Sequence, residues 1–197
     1  ESLLVGAGGA PGLARELEAS RRRYFARGVP GAGDPAAPLA ERRHREWFLC
    51  ERYSDALQDV PIRALGRELV SSEPALEEAL GALASSLTGV FAVTGIAAGE
   101  GVWVRDLVGL GEYPLQEAAG SLALREDDVL VRRLFPMGEN VYRISHAAGV
   151  FRTPGLVAAL ESDLANALAE RRGTLRLSHL ELEAMFFGAA LGVPPGE

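Results

Sequence analysis

The feature that most constrains the fold is a change of sequence pattern at Gly89. From there to Ile144 the chain alternates short apolar segments with turns rich in glycine or aspartate, at intervals of about ten residues. Valine, isoleucine and aromatic residues dominate the segments, and these residues favour strands. The segments begin near Val90, Val102, Tyr113, Val129 and Val141. The pattern predicts five short antiparallel strands, either as a meander or curled into a small barrel of the SH3 or OB type.

Helical periodicity flanks the strand region on both sides. Before it, leucines fall at spacings of four, three and four, which makes one apolar helix face: Leu76, Leu80, Leu83 and Leu87. After it, Ser178 and Glu181 have the spacing of a capping box at the start of a last helix. The predicted fold class is α+β, with a helical N-terminal half and a C-terminal helical pair. We assign helices to residues 39–87, strands to 88–152 and helices to 153–197.

A segment rich in proline and glycine, residues 28–38, interrupts the first helical region. Such a composition cannot continue a helix and predicts an extended linker or a long loop. Residues 1–38 are therefore interpreted as an N-terminal helical arm with its linker, and residues 39–197 as the α+β body. The glycines from Gly6 to Gly12 do not fit a dinucleotide-binding fingerprint, and no second strand follows them. We interpret that stretch as a flexible segment.

Composition limits the location and the partners of the chain. All 20 basic residues are arginine, which is typical of a GC-rich genome, and the net charge of −7 repels phosphate at long range. A single cysteine, Cys50, excludes both an internal disulfide and a thiolate zinc cluster. No apolar run approaches the roughly 18 residues of a membrane helix. We expect a soluble, cytoplasmic protein that does not associate with membranes.

The sequence predicts no catalytic residue, no cofactor and no metal site. Its histidines, His44, His146 and His179, do not have the spacing of a helical metal site. The Gly-x-Ser-x-Gly pattern of a serine nucleophile is absent. An enzyme built on this sequence would use Asp106, His146 or Asp128, and that alternative stays open although no nucleophile accompanies them.

Two sets of residues are candidates for binding. The last helix is apolar on nearly all sides, as a helix is when it is central to a core or meets a partner. Its candidate partner-binding residues are Leu182, Met185 and Phe186. The first third of the chain concentrates arginine, and its candidates for nucleic-acid binding are Arg21, Arg22, Arg23, Arg42, Arg43 and Arg45. Residues 1–59 contain nine arginines and nine acidic residues, so salt-bridged helix faces are the competing interpretation.

Several short motifs resemble a recurrent pattern in uncharacterised bacterial proteins that are often associated with a SEC-C zinc motif. These motifs are Glu46–Ser54 with Leu57 and Pro61, Gly89–Phe91, Asp106–Leu107, Asp128–Leu130 and Arg132–Leu134. The resemblance covers about Leu39 to Phe151 and implies a bacterial origin. With one cysteine, the chain lacks the zinc motif itself. The resemblance brings no assigned activity and no functional residue, and it hints at most at partner binding.

These observations favour a non-enzymatic interaction or assembly module. It would bind a protein partner, or a second copy of itself, through the barrel and the last helix. The alternative is an RNA-associated protein that uses the arginine-rich helices and the small barrel.

Overall fold

The computed structural model describes residues 11–25, 33–97, 101–109, 111–116, 124–138, 140–171 and 178–187. The chain divides into two compact units. The first, here named the helical unit, contains Glu1–Ser86 and Ala184–Glu197. The second, named the barrel unit, contains Leu87–Glu183. Among the described residues, no helix has the length and apolar character needed to cross a membrane.

The described residues of the helical unit form four α-helices, α1 to α4. They span Pro11–Tyr24, Ala37–Cys50, Pro61–Ser72 and Glu77–Ala84, and a 3-10 turn, Pro74–Leu76, precedes the last. Proline stands in the first turn of α2 and of α3, where the missing N–H is not needed for a helical hydrogen bond. The residue that caps α3 is Val60, whose N–H donates to Asp59 Oδ1 at 2.7 Å.

Within the region 39–87 that the sequence assigns to helices, α2 ends at Cys50. Ser54 and its neighbours form a turn instead. The Ser54 hydroxyl accepts the Leu57 N–H at 3.2 Å, and the Ser54 N–H donates to the Asp59 carbonyl at 3.0 Å. A serine that satisfies nearby backbone groups in this way competes with continuation of the helix.

Helix α1 packs on α2 through polar and aromatic contacts. Arg21 is ion-paired with Glu41 at 2.5 Å. Ser20 donates to the Leu17 carbonyl at 2.7 Å, so its hydroxyl oxygen accepts from His44 Nε2 at 2.8 Å. Three aromatic rings lie around this histidine: Tyr24, Phe25 and Trp47. The described part of the predicted N-terminal arm is thus packed against the next helix.

In the barrel unit, the part of the chain that the structure describes forms six strands in one sheet. They are β1 (Leu87–Ala97), β2 (Gly101–Asp106), β3 (Glu112–Leu115), β4 (Val129–Pro136), β5 (Tyr142–Ile144) and β6 (Gly149–Phe151). The order is β1-β2-β3-β5-β4-β6, and β4 also pairs with β1, which closes five strands into a barrel. The predicted α+β class with a small barrel is confirmed.

The prediction of purely antiparallel strands needs a correction. Strands β3 and β5 are parallel and pair at Leu115 and Tyr142. A ring of five strands cannot alternate direction at every step, so closure requires one parallel pair. The resulting order corresponds to the OB alternative of the predicted barrel. Strand β6 is an addition to the five predicted strands, and it pairs with the first residues of β4.

The core of the barrel unit is a cluster of eight buried side chains. They are Phe91, Val93, Val102, Val104, Leu115, Leu130, Leu134 and Ile144. Strand β1 has a bulge between Val93 and Gly95, and such bulges bend a strand so that a sheet can close. Tyr113 packs edge-on to Phe91, and burial, with Asp106 and Tyr142 nearby, raises the pKa of its hydroxyl.

Two helical segments follow the strands. Helix α5 spans Leu156–Arg171, and α6 spans His179–Leu182 with a π-helical continuation over Glu183–Phe187. The predicted capping box at α6 is confirmed. The Ser178 hydroxyl accepts the Glu181 N–H at 3.3 Å, and the Glu181 carboxylate accepts the Ser178 N–H at 2.7 Å.

Candidate interaction surface

The outer face of strand β2 presents an exposed tryptophan. Val102 and Val104 both belong to the barrel core, so Trp103 between them points outward, because successive side chains of a strand alternate between faces. Its exposed fraction is 37%. Tryptophan is usually well buried, and an exposed one is an informative exception.

The neighbours of Trp103 in the sheet leave it accessible. It pairs with Gly95 on β1 and with Pro114 on β3. Gly95 has no side chain, and among the described residues beyond its own chain neighbours no atom lies within 4 Å of the position where a Cβ would stand. The indole therefore has a residue without a side chain on one flank and a proline on the other, an arrangement that leaves room for a ligand against the ring.

Two further exposed apolar side chains of the barrel unit do not share the face of Trp103. Ile96 pairs with Val102, and residues paired across strands point to the same side of a sheet, so Ile96 lies on the side of the core. Met137 follows β4, which is not a neighbour of β2 in the sheet. Both side chains are 42% exposed. We name Trp103 with its sheet partners Gly95 and Pro114 the Trp103 surface.

Charged side chains on the same strands are held in pairs. Arg105, two residues after Trp103, donates from Nη2 to Glu161 at 2.6 Å. On β5, Arg143 donates from Nη2 to Gln116 Oε1 at 3.2 Å. Both arginines already have acceptors. They therefore do not form a patch of uncompensated positive charge beside the Trp103 surface.

The structure separates the three predicted partner-binding residues of the last helix. Leu182 is buried, Phe186 is half-buried and Met185 is 58% exposed. Phe187, which follows them, is buried, and the Arg43 guanidinium lies 3.7 Å from its ring centroid. This helix is therefore largely core, and Met185 is the one predicted residue that presents most of its side chain to solvent.

The six arginines predicted for nucleic-acid binding do not share one environment. Arg43 is buried and stacks on an aromatic ring, and Arg21 is ion-paired with Glu41. The other four are exposed: Arg22, Arg23, Arg42 and Arg45. The helix faces between them also bury His44, and this burial, to which nearby arginines add, lowers its pKa to about 4. The contacts of these residues therefore serve mainly to pack helix α1 against helix α2.

The three residues weighed for an enzyme each belong to a separate local structure. Asp106 accepts the Val108 N–H at 2.9 Å, and His146 is exposed. Asp128 is buried and accepts from Arg152 Nε at 3.2 Å. No hydrogen bond joins any two of the three, and the part of the chain that the structure describes contains no cluster of three or more His, Cys, Asp or Glu placed to hold a metal ion.

A cleft of about 500 Å³ lies between the turn at residues 125–128 and the start of α5. Asp127, in this turn, has φ of 66°, the left-handed conformation that aspartate tolerates in turns. Asp128 also accepts the Arg125 N–H at 2.9 Å, so its carboxylate is occupied by the turn and by Arg152. The cleft is therefore lined by groups that neutralise one another.

Sequence reasoning did not single out Trp103, Ile96 or Met137. Strand β2 was predicted, but Val102, Trp103 and Val104 are all apolar, so the segment does not show which face is exposed. Knowing that Val102 and Val104 face the core would have identified the exposed position between them. Met137 follows Pro136 in a turn, where an apolar residue is itself a weak signal.

Comparisons of the chain with known protein families, with curated proteins and with solved structures find no match. The described chain consists of a helical unit and a small five-stranded barrel with an exposed tryptophan on its second strand.

Proposed function

We propose that this protein is a non-enzymatic interaction module whose barrel binds a protein partner through the Trp103 surface. The observation that carries the proposal is the exposed tryptophan between two core-facing residues of β2. Tryptophan is enriched among the residues that dominate protein interfaces.

The apolar character of the surface suits an apolar segment of a partner. Trp103 lies next to Pro114 and would supply the largest buried area on binding. Its open flank at Gly95 would receive an apolar side chain of the partner.

The test begins with a photo-crosslinking amino acid placed at position 103 in the full chain. A partner captured there is identified, purified and titrated against the unmodified protein by calorimetry. We expect Trp103→Ala to weaken the dissociation constant by at least about tenfold, as loss of a central aromatic side chain does. A second copy of this chain is one possible partner, and light-scattering mass shows it directly.

Tyr53→Ala is the matched control, because Tyr53 is an exposed aromatic residue of the helical unit. It should leave the affinity unchanged. Equal affinity of the Trp103→Ala variant and the unmodified protein would remove the Trp103 surface from the function. If Met185→Ala weakened the complex instead, the interface would belong to the last helix.

A second candidate function is association with RNA. The observation that favours it is the OB-type strand order with an aromatic residue on β2, because OB barrels bind oligonucleotides on the face of strands 2 and 3. An exposed indole can stack on a base of a single strand. The test is titration with oligouridine, followed by the fluorescence of Trp103 against a Trp103→Phe variant that retains Trp47.

The proposal places this module in the cytoplasm of a bacterium. A single cysteine, which cannot form an internal disulfide, supports a reducing compartment. The use of arginine alone among the basic residues supports a GC-rich genome.

A further inference from the structure

Three buried polar side chains meet in the barrel unit: Arg132, His179 and Glu183. Arg132 is on β4, opposite Gly89 of β1, in the middle of a strand whose neighbouring positions are core. His179 is the first residue of α6, and Glu183 follows it by four residues, which places both on one side of the helix. Buried groups of this kind are costly unless they satisfy one another.

The distances define the state of the imidazole. Arg132 Nη1 lies 2.9 Å from His179 Nε2 and 3.8 Å from Glu183 Oε2. A guanidinium carries only donors, so a hydrogen bond at 2.9 Å requires that His179 Nε2 accept. The imidazole is then neutral, with its proton on Nδ1. Glu183 partly balances the charge of Arg132.

We propose that this contact is a proton-sensitive latch that holds Ser178–Glu183 on the barrel at neutral pH and releases the segment in acid. A proton on Nε2 removes the lone pair that Arg132 uses. It also leaves an imidazolium directly against a guanidinium in a buried site, where like charges repel strongly. The hydrogen bond between Arg132 and His179 therefore forms only when the His179 imidazole is neutral.

The charged groups described near the latch belong to β4 and α6. Strand β1, which α6 also contacts, has no ionisable side chain from Leu87 to Ala97. The neighbouring arginine of β4, Arg133, points to the other face of its strand. Glu181 on the same helix is exposed and is engaged in the capping box. Glu183 faces the pair, and its carboxylate lies 3.8 Å from the Arg132 guanidinium.

The direction of the pH effect follows from proton linkage. An imidazole in the released segment binds a proton at about pH 6.5, whereas the latched imidazole resists protonation. Below about pH 6.5 each unit of pH therefore favours release by up to about tenfold. Between about pH 7.5 and about pH 5.5 the opening equilibrium should rise about tenfold.

Hydrogen–deuterium exchange of the full chain measures this opening. Amides of residues 178–183, corrected for the intrinsic exchange rate, should open about tenfold more at the lower of those two pH values. His179→Gln should abolish the change, because a glutamine carbonyl accepts from Arg132 and does not titrate. His146→Gln, at an exposed histidine of the same unit, should keep the change. Amides of β2 should stay protected throughout.

A direct titration covers the case in which His179→Gln fails to fold. In the unmodified protein, NMR should show the His179 ring titrating below about pH 6.5, the value of an unperturbed imidazole. The latch is overturned if His179 titrates at or above about pH 6.5, or if exchange of residues 178–183 does not depend on pH. It is also overturned if the β2 amides lose protection in parallel, because the acid effect would then be general unfolding.

Discussion

At the scale of single residues, His44 makes the helical unit sensitive to acid. Burial, with Arg21, Arg45 and Arg52 nearby, lowers its pKa from 6.5 to about 4, although Glu41 opposes the shift. The unfolded chain therefore takes up this proton first as the pH falls. Each unit of pKa difference corresponds to about 1.4 kcal/mol, so the folded state loses roughly 3 kcal/mol between about pH 6.5 and about pH 4.

Urea unfolding over that pH range measures the loss. In His44→Gln the side-chain amide can still donate to Ser20, but it cannot be protonated, so this part of the pH dependence should disappear. The exposed His146 provides the control variant, His146→Gln, which should retain the full dependence. An equally steep loss in His44→Gln would show that other groups, such as the carboxylates, cause the acid sensitivity.

At the scale of single elements, two glycines of the β1–β2 region differ in whether a larger residue could replace them. Gly101 has φ of +134°, and a Cβ there would lie 2.9 Å from the Leu115 carbonyl oxygen. Gly101→Ala should lower the free energy of unfolding by about 2 kcal/mol, because it combines an unfavourable backbone conformation with a clash against backbone. Gly95, with open space around it, is the matched control.

Chemical denaturation compares the two variants under one set of conditions. Gly95→Ala should change stability by less than about 0.5 kcal/mol, as surface substitutions without a specific role do. Similar losses in both variants would mean that strand glycines matter here for a reason other than backbone geometry. A fully stable Gly101→Ala variant would contradict the positive φ at this position.

The barrel also shows which features of the fold can be predicted from sequence patterns. The strands were predictable because each apolar segment is bounded by a turn, as at Gly109 and Gly111 before β3. The parallel pairing of β3 with β5 was not, because register and closure depend on contacts distant in sequence. Strand β6 has only three residues, too few for a periodic signal. Burial of Arg43 against Phe187 likewise depends on packing that spacing does not encode.

At the scale of the whole molecule, charge decides between the two candidate functions. The chain carries a net charge of −7, and the barrel unit alone has nine arginines against thirteen acidic residues. Arg105, two residues from Trp103 on β2, is already paired with Glu161. Affinity for nucleic acid comes mainly from arginine or lysine contacts to phosphates, with release of counterions. Trp103 could therefore stack on a base, but little positive charge near Trp103 is left to bind the phosphates of the nucleic acid.

We accordingly expect oligouridine to bind weakly, with a dissociation constant of about 10⁻⁴ M or higher at physiological salt. Fluorescence anisotropy of a labelled oligonucleotide, repeated at several salt concentrations, measures this. The slope of log affinity against log salt should be shallow, about −1 or less in magnitude, because few phosphates are neutralised.

Micromolar affinity with a steep slope, lost in a variant with Arg22, Arg23, Arg42 and Arg45 changed to glutamine, would establish RNA binding by the helices. The same affinity lost in Trp103→Ala would establish it on the barrel. Either result would replace the protein partner as the ligand of this module.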